Sequence, residues 1–142
     1  MSRTLAIIKP DAVANGHSGR IIDHLQDAGF RVLGLRMTRL SEEQAGAFYA
    51  VHAERPFYGE LVQFMTSGAV IPIALERDDA VAELRQVIGS TDPAEAAAGT
   101  IRKLYAESKG RNAIHASDSD ENARNEVAFF FNESDLVANG VR

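Results

Sequence analysis

Gly110-Arg-Asn-Ala-Ile-His115-Ala-Ser-Asp118 sets one histidine between Asn112 and the pair Ser117 and Asp118, with Ala113, Ile114 and Ala116 threaded between the polar positions. Ala113-Ile114 reads as a brief buried strand that delivers His115 to a turn. Ser119-Asp120-Glu121-Asn122 then has the composition of a helix start, a hydroxyl cap followed by acids in the first turn. This puts the histidine between a strand end and a helix N-terminus, where open backbone N–H groups attract anions. In the helix that follows, Ala123, Val127 and Phe130 share one face and Glu126 travels beside them. A carboxylate folded back onto an imidazole sets its tautomer, which a nucleophilic histidine requires. A histidine beside a serine also occurs in ordinary turns, so the stretch by itself gives its fold role more firmly than its chemistry.

Outward from this last strand, the chain alternates in a simple order. Arg3–Ile8 reads as a strand, stopped at Lys9-Pro10-Asp11 because proline cannot continue a central ladder. Asn15–Gly19 is a loop, and Arg20–Ala28 a helix with Ile21, Ile22 and Leu25 on one face and Gly29 as its stop. Phe30–Leu40 reads as a long strand. Ser41-Glu42-Glu43-Gln44 is a capping box, opening a helix to about His52; Arg55-Pro56 breaks it, and Phe57–Thr66 is a second helix. Ala69–Leu75 is a buried strand, and Asp79 caps a helix over Ala80–Ile88. Adding the strand at 113–114 gives βαββαβ with a helical hairpin inserted between the second and third strands. The expected fold is α+β: a ferredoxin-like antiparallel sheet with helices packed on it. Residues 89–112 form a long loop, helical only around 94–98 and 101–107; an ordered excursion of that length is usually functional. Glu133–Arg142 reads as a short polar tail that covers a neighbouring subunit, and His17 and His24 as surface residues.

The 142 residues suit one domain, 1–142, with room for a core. No apolar run approaches the roughly 20 residues of a membrane span, and the first residues enter a strand directly, without a signal-peptide pattern. With no cysteine, disulfides and thiolate metal sites are excluded, and a cytoplasmic protein is the simplest expectation. A net charge of −5 argues against a broad nucleic-acid surface but leaves room for a local basic pocket holding a small anion. Lys9, at the exit of the first strand, is either a phosphate-reaching group or a surface lysine beside a turn. No G-x-x-x-x-G-K-[ST] run exists, so a nucleotide site here is not a P-loop. Tyr49 and Phe57 either plug the core or hold a ligand.

Asn112-Ala-Ile-His115-Ala-Ser-Asp118-Ser closely resembles the active-site signature of nucleoside diphosphate kinases. Lys9-Pro10-Asp11, Arg55-Pro56-Phe57, Phe64-Met65-Thr66-Ser67-Gly68 and Gly99-Thr100-Ile101-Arg102 stand in that family's order and spacing, so the resemblance covers essentially the whole chain. Two positions depart from it: Ala116, where the family usually has glycine, and Ala69, where proline is usual.

The resemblance implies transfer of the γ-phosphoryl of a nucleoside triphosphate, usually ATP, to a nucleoside diphosphate, maintaining the triphosphate pools. The route is ping-pong, through a phosphohistidine on the pros nitrogen of His115. It implies Lys9 at the γ-phosphate and also near the ribose; Arg85, Thr91 and Arg102 on the α- and β-phosphates; Asn112 on the ribose hydroxyl; and Phe57 stacked on the base. It implies Glu126 orienting His115, Ser117 supporting it and Tyr49 packed beside it. A face-stacking platform accepts purines and pyrimidines alike. Mg²⁺ is expected on the nucleotide phosphates, with no ligands from the protein, and a homo-oligomer, tetramer or hexamer, built on a shared dimer. The competing reading is a non-catalytic ferredoxin-like module that senses metabolites or binds RNA. It fits poorly, because RNA readers of this plan carry aromatic and basic residues on strands, whereas Tyr49 and Phe57 fall on helices.

Overall fold

The computed structural model describes residues 1–141. Its elements run β1 (Ser2–Ile8), α1 (Pro10–Ala14), α2 (Ser18–Asp27), β2 (Arg31–Leu35), α3 (Glu42–Phe48), a 3₁₀ turn (Ala50–His52) and α4 (Tyr58–Met65). There follow β3 (Ile71–Arg77), α5 (Ala80–Ile88), α6 (Ile101–Tyr105), β4 (Ile114–Ala116), α7 (Asp120–Phe130) and α8 (Glu133–Gly140). The strands form one sheet in the order β2-β3-β1-β4, every neighbouring pair antiparallel. This is the expected ferredoxin-like plan, with α3 and α4 as the inserted hairpin.

Strand alternation sorts the apolar residues into two layers. Ala6, Ile8, Ile73, Leu75, Ile114 and Ala116 face Ile21 and Leu25 of α2, Leu84 and Ile88 of α5, and Ile101 of α6. Leu5, Ile7, Leu33 and Ala74 face Phe48 of α3, Met65 of α4, Val127 and Phe130 of α7, and Leu136 of α8. His115 pairs with Ile7 across β1 and β4. Residues directly opposite project to the same face, so the fold places the imidazole on the side of α3 and α7.

Several local expectations are corrected. Pro10 starts a helix rather than only ending a strand: it sits at the first helical position, where its missing N–H costs nothing. The second strand ends at Leu35, not Leu40. It bulges between Val32 and Gly34, and beyond it only Thr38 bridges to Val70. Beside the bulge, a Cβ at Gly34 would stand 2.8 Å from the ring of Phe131 and 3.3 Å from Leu136, so α8 and its lead-in lie directly on the strand backbone there. The third strand runs on through Glu76 and Arg77, because Glu76 pairs with both Arg3 and Arg31. Asp79 does not cap α5 with its side chain; its φ is 51°, and the N–H of Ala80 donates to the hydroxyl of Ser2 instead. Residues 94–98 are turns without a helix. The capping box at Ser41 and the Ser119 cap are both present.

The largest correction is the C-terminus. Residues 133–140 are a helix, capped by Asn132, that packs on its own chain's β2: Leu136 is buried and Asn139 donates to the Leu33 carbonyl at 2.6 Å. Arg142, the end of the expected tail, lies outside the described residues. His17 and His24 are half-buried rather than surface residues, and the ring of His17 packs on Tyr105, centroids 4.9 Å apart.

Candidate active site

His115 stands in the middle of β4, not after it. Its Nε2 lies 2.6 Å from Oε1 of Glu126, which also accepts a hydrogen bond from the Ser117 hydroxyl at 2.9 Å. An ionised carboxylate only accepts, so Nε2 carries the proton and Nδ1 keeps its lone pair. Nδ1 has no hydrogen-bond partner among the described residues. The imidazole is packed on two sides by aromatic edges: Phe48 at 5.4 Å and Tyr49 at 5.9 Å between centroids, both T-shaped. The sequence marks Phe48 by nothing beyond its place next to Tyr49 on a capped helix. Tyr49 is buried and its hydroxyl has no partner. Burial, and then the field of Glu126, push that hydroxyl far above the usual tyrosine range, so it stays protonated as a donor.

Main-chain contacts link β4 to the cationic residues. The Lys9 N–H donates to the Ala113 carbonyl at 2.9 Å, and Lys9 Nζ donates to Asn112 Oδ1 at 2.8 Å. Asn112 Nδ2 in turn donates to the Thr91 carbonyl at 3.3 Å. Arg102 reaches the Ile114 carbonyl through Nη2 at 2.8 Å and the Gly89 carbonyl through Nη1 at 3.1 Å, while its buried Nε has no partner. Gly89 has φ 87°, and a Cβ there would lie 2.5 Å from Thr100 Oγ1; only glycine brings that carbonyl under the guanidinium. Arg85, Thr91 and Arg102 line one cleft of about 430 Å³ with Gly89, Ser90 and Thr100.

None of Lys9, Arg85 and Arg102 has a carboxylate within ion-pairing distance among the described residues. Burial, helped by the charge of Arg102, lowers the Lys9 ammonium to about 8, and Asp11 partly opposes the shift. Burial and the neighbouring Arg85 lower Arg102 to about 10. Three cations beside the single buried acid Asp11, none of them ion-paired, leave a local excess of positive charge in a chain of net charge −5, and such a site favours an anion.

Phe57 stands apart from these contacts. It precedes α4 with 47 % of its surface exposed, and its one aromatic neighbour is His52 at 5.6 Å. Exposure of so large a ring at a helix start fits a stacking face rather than a core plug. Of the two departures, Ala116 sits in extended strand opposite Ala6, its methyl in the core layer, so no special backbone is needed there. Ala69 lies in the half-buried link before β3. No cluster of three or more His, Asp or Glu side chains able to hold a metal exists among the described residues, and no helix there is long and apolar enough to cross a membrane.

Sheet, cationic cleft and carboxylate-held imidazole together define a nucleotide-handling phosphotransferase. A family model described as nucleoside diphosphate kinase matches residues 2–136. The chain is 60% identical over 139 residues to a nucleoside diphosphate kinase of Chloroherpeton thalassium, covering 98% of this chain and 99% of the relative. It is 60% identical over 137 residues to that of Chlorobium chlorochromatii, covering 96% and 98%. Among solved structures, a nucleoside diphosphate kinase of Aquifex aeolicus superposes with TM-score 0.93 at 47% identity, over 94% of this chain and 97% of the other. One from Halobacterium salinarum, solved in complex with CDP, gives 0.89 at 39% identity, over 94% and 90%. The chain belongs to the nucleoside diphosphate kinase family. It is a transferase and kinase acting on nucleotides, and as such works with a divalent cation.

Proposed function

We propose that His115 carries the phosphoryl group between two nucleotides that use the same pocket in turn. The observation that supports this most directly is the 2.6 Å contact of Nε2 with Glu126, which leaves Nδ1 as the ring's nucleophile. In the first half-reaction the Nδ1 lone pair attacks the γ-phosphorus. The N–P bond forms, the bond from the γ-phosphorus to the bridging oxygen breaks, and that oxygen leaves with the electron pair on the donor diphosphate. In the second half-reaction the terminal oxygen of an acceptor diphosphate attacks the phosphohistidine, and Nδ1 regains its lone pair. The Nε2 proton stays with the ring throughout, and the Glu126 carboxylate offsets the positive charge the ring gains when phosphorylated.

Phosphoryl transfer depends on positioning and charge stabilisation. Lys9 neutralises the γ-phosphate oxygens, and Arg85, Arg102 and the Thr91 hydroxyl hold the phosphates behind it. Asn112, with Lys9, meets the ribose hydroxyl, and Phe57 stacks on the base. Tyr49 packs the imidazole and Ser117 holds Glu126 in place. Mg²⁺ would enter with the nucleotide substrate, held by its phosphates rather than by protein side chains, and would supply charge neutralisation for the transferring group. The CDP bound by the halophilic relative is one of the ligands this pocket would take. A cytoplasmic location suits an enzyme drawing on the general nucleotide pool. The protein is read as a homo-oligomer, tetramer or hexamer; exposed apolar side chains at Leu35, the end of β2, and at Met37 just beyond it suit a subunit contact, and light scattering at two concentrations reads the mass.

Incubation with γ-labelled ATP tests the central step. The protein should acquire an acid-labile, alkali-stable label that ADP or GDP discharges, and initial rates should show ping-pong patterns. A label on any other side chain would sink the proposal. Phe57→Ala tests the platform. Base stacking contributes about 1–3 kcal/mol, so KM should rise roughly 5- to 150-fold for purine and pyrimidine nucleotides alike, with kcat little changed. The exposed ring leaves the fold untouched. An effect confined to one base class would point to edge recognition instead.

A further inference from the structure

Ala113 takes φ 75°, and the Ile114 N–H donates to the Asn112 carbonyl at 2.9 Å across that single residue. This is a γ-turn of the positive-φ kind, rare and strained. A residue with a Cβ holds it only where its surroundings over-determine it. Here both flanking peptide groups are clamped from the start of α1. The Ala113 N–H donates to Asp11 Oδ2 at 3.1 Å, and the Ala113 carbonyl accepts from the Lys9 N–H.

Asp11 is 2% exposed, and its second oxygen, Oδ1, has no partner. The ordinary reading of an acid in a first helical turn is helix stabilisation. Helix α1 is only five residues long, however, and the carboxylate's one hydrogen bond crosses 102 positions to Ala113. Burying a half-satisfied carboxylate is costly, so stability of α1 is a weak reason for it. What the turn governs is the site. Immediately before it, Asn112 joins Lys9 to Thr91; immediately after it, the Ile114 carbonyl anchors Arg102; one residue further stands His115.

We propose that Asp11 is a positioning residue for phosphoryl transfer: its buried carboxylate holds Ala113 in the turn that sets Asn112, Arg102 and His115 against one another. The inference rests on the reading of His115 as carrier. The same carboxylate also favours the proton on Lys9 against burial and the charge of Arg102.

The test uses the full chain and follows formation of phosphohistidine from ATP in a single turnover, with thermal melting alongside. D11A should slow that step about 10- to 100-fold, the weight of one charge-assisted hydrogen bond. D11N, which keeps an acceptor for the Ala113 N–H, should retain a third or more of the rate at neutral pH. D11A/A113G should recover most of what D11A loses, because glycine adopts positive φ without steric cost. A113V disturbs the turn while leaving Asp11 in place, and should slow transfer as D11A does; it decides the matter if D11A does not fold. A merely structural Asp11 would lower melting temperatures but leave the rate per folded molecule unchanged. Wild-type rates in D11A or A113V, or no rescue by A113G, overturn the inference. If wild-type protein forms no phosphohistidine at His115, the carrier reading itself fails; if it does and D11A matches it, only this inference fails.

Discussion

His115→Ala should abolish phosphoryl transfer while leaving a folded protein that still binds nucleotide. Removing a covalent nucleophile deletes the route rather than weakening it, so kcat should fall by about four orders of magnitude or more. The acid-labile label should vanish with it. Binding should persist within a few-fold, since Lys9 and Arg102 make their contacts without the imidazole and Arg85 lines a cleft that does not include it. Stability should drop by about 1 kcal/mol: the ring is 17% exposed, and its contacts with Phe48 and Tyr49 are edge-on. Glu126 keeps the Ser117 hydroxyl as a partner. Turnover or a label surviving in the alanine variant would show that another group carries the phosphoryl.

Lys9→Met should lower kcat/KM by about 10²–10³-fold, the scale of losing one preorganised charge at the reacting centre. The substitution keeps most of the side-chain volume and removes only the ammonium. Its effect on stability should be small, because two consequences oppose each other. Asn112 Oδ1 loses its donor, while the fold is relieved of a buried cation.

The pH dependence separates these terms. Burial holds the Lys9 ammonium at about 8 in the folded protein, against 10.5 as its ordinary value. Between those values the unfolded chain binds more protons than the native one, so this group's penalty is fully present below about pH 8. It is relieved as pH rises toward 10.5, by up to about 3 kcal/mol. Activity should move the other way. In wild-type protein kcat/KM should decline above about pH 8 as the γ-phosphate loses its cation. The limb in kcat should lie higher, since bound phosphate favours the charged lysine. In Lys9→Met both dependences from this group should disappear. A wild-type kcat/KM profile flat through pH 9 would mean that the charge on Lys9 is not what transfer uses.

Much of the site was legible in the chain because its parts are short and local. Glu126 follows His115 on the helix that packs against the strand, and a cap plus one apolar face are enough to fix that helix. The cations were legible only as separate residues. Lys9, Arg85 and Arg102 lie on three elements far apart in sequence, and spacing carries no information about which of them meet. Asp11 and Phe48 escaped for related reasons. An acid in a first helical turn and a phenylalanine on a capped helix each have an ordinary local explanation that hides the distant contact.

The alternation of apolar residues, the caps and the glycine and proline stops determined the βαββαβ order and the two-layered core, since burying one face of each element against a sheet is a local pattern repeated along the chain. Tertiary structure alone decided that the C-terminal segment becomes a helix on β2, where Leu136 is buried and Gly34 leaves room for the approach of Phe131. It alone also decided that Ala113 is bent into a turn no isolated alanine prefers. Such a conformation persists only under contacts from both sides, and those contacts exist only once strand β1 and helix α1 lie beside it.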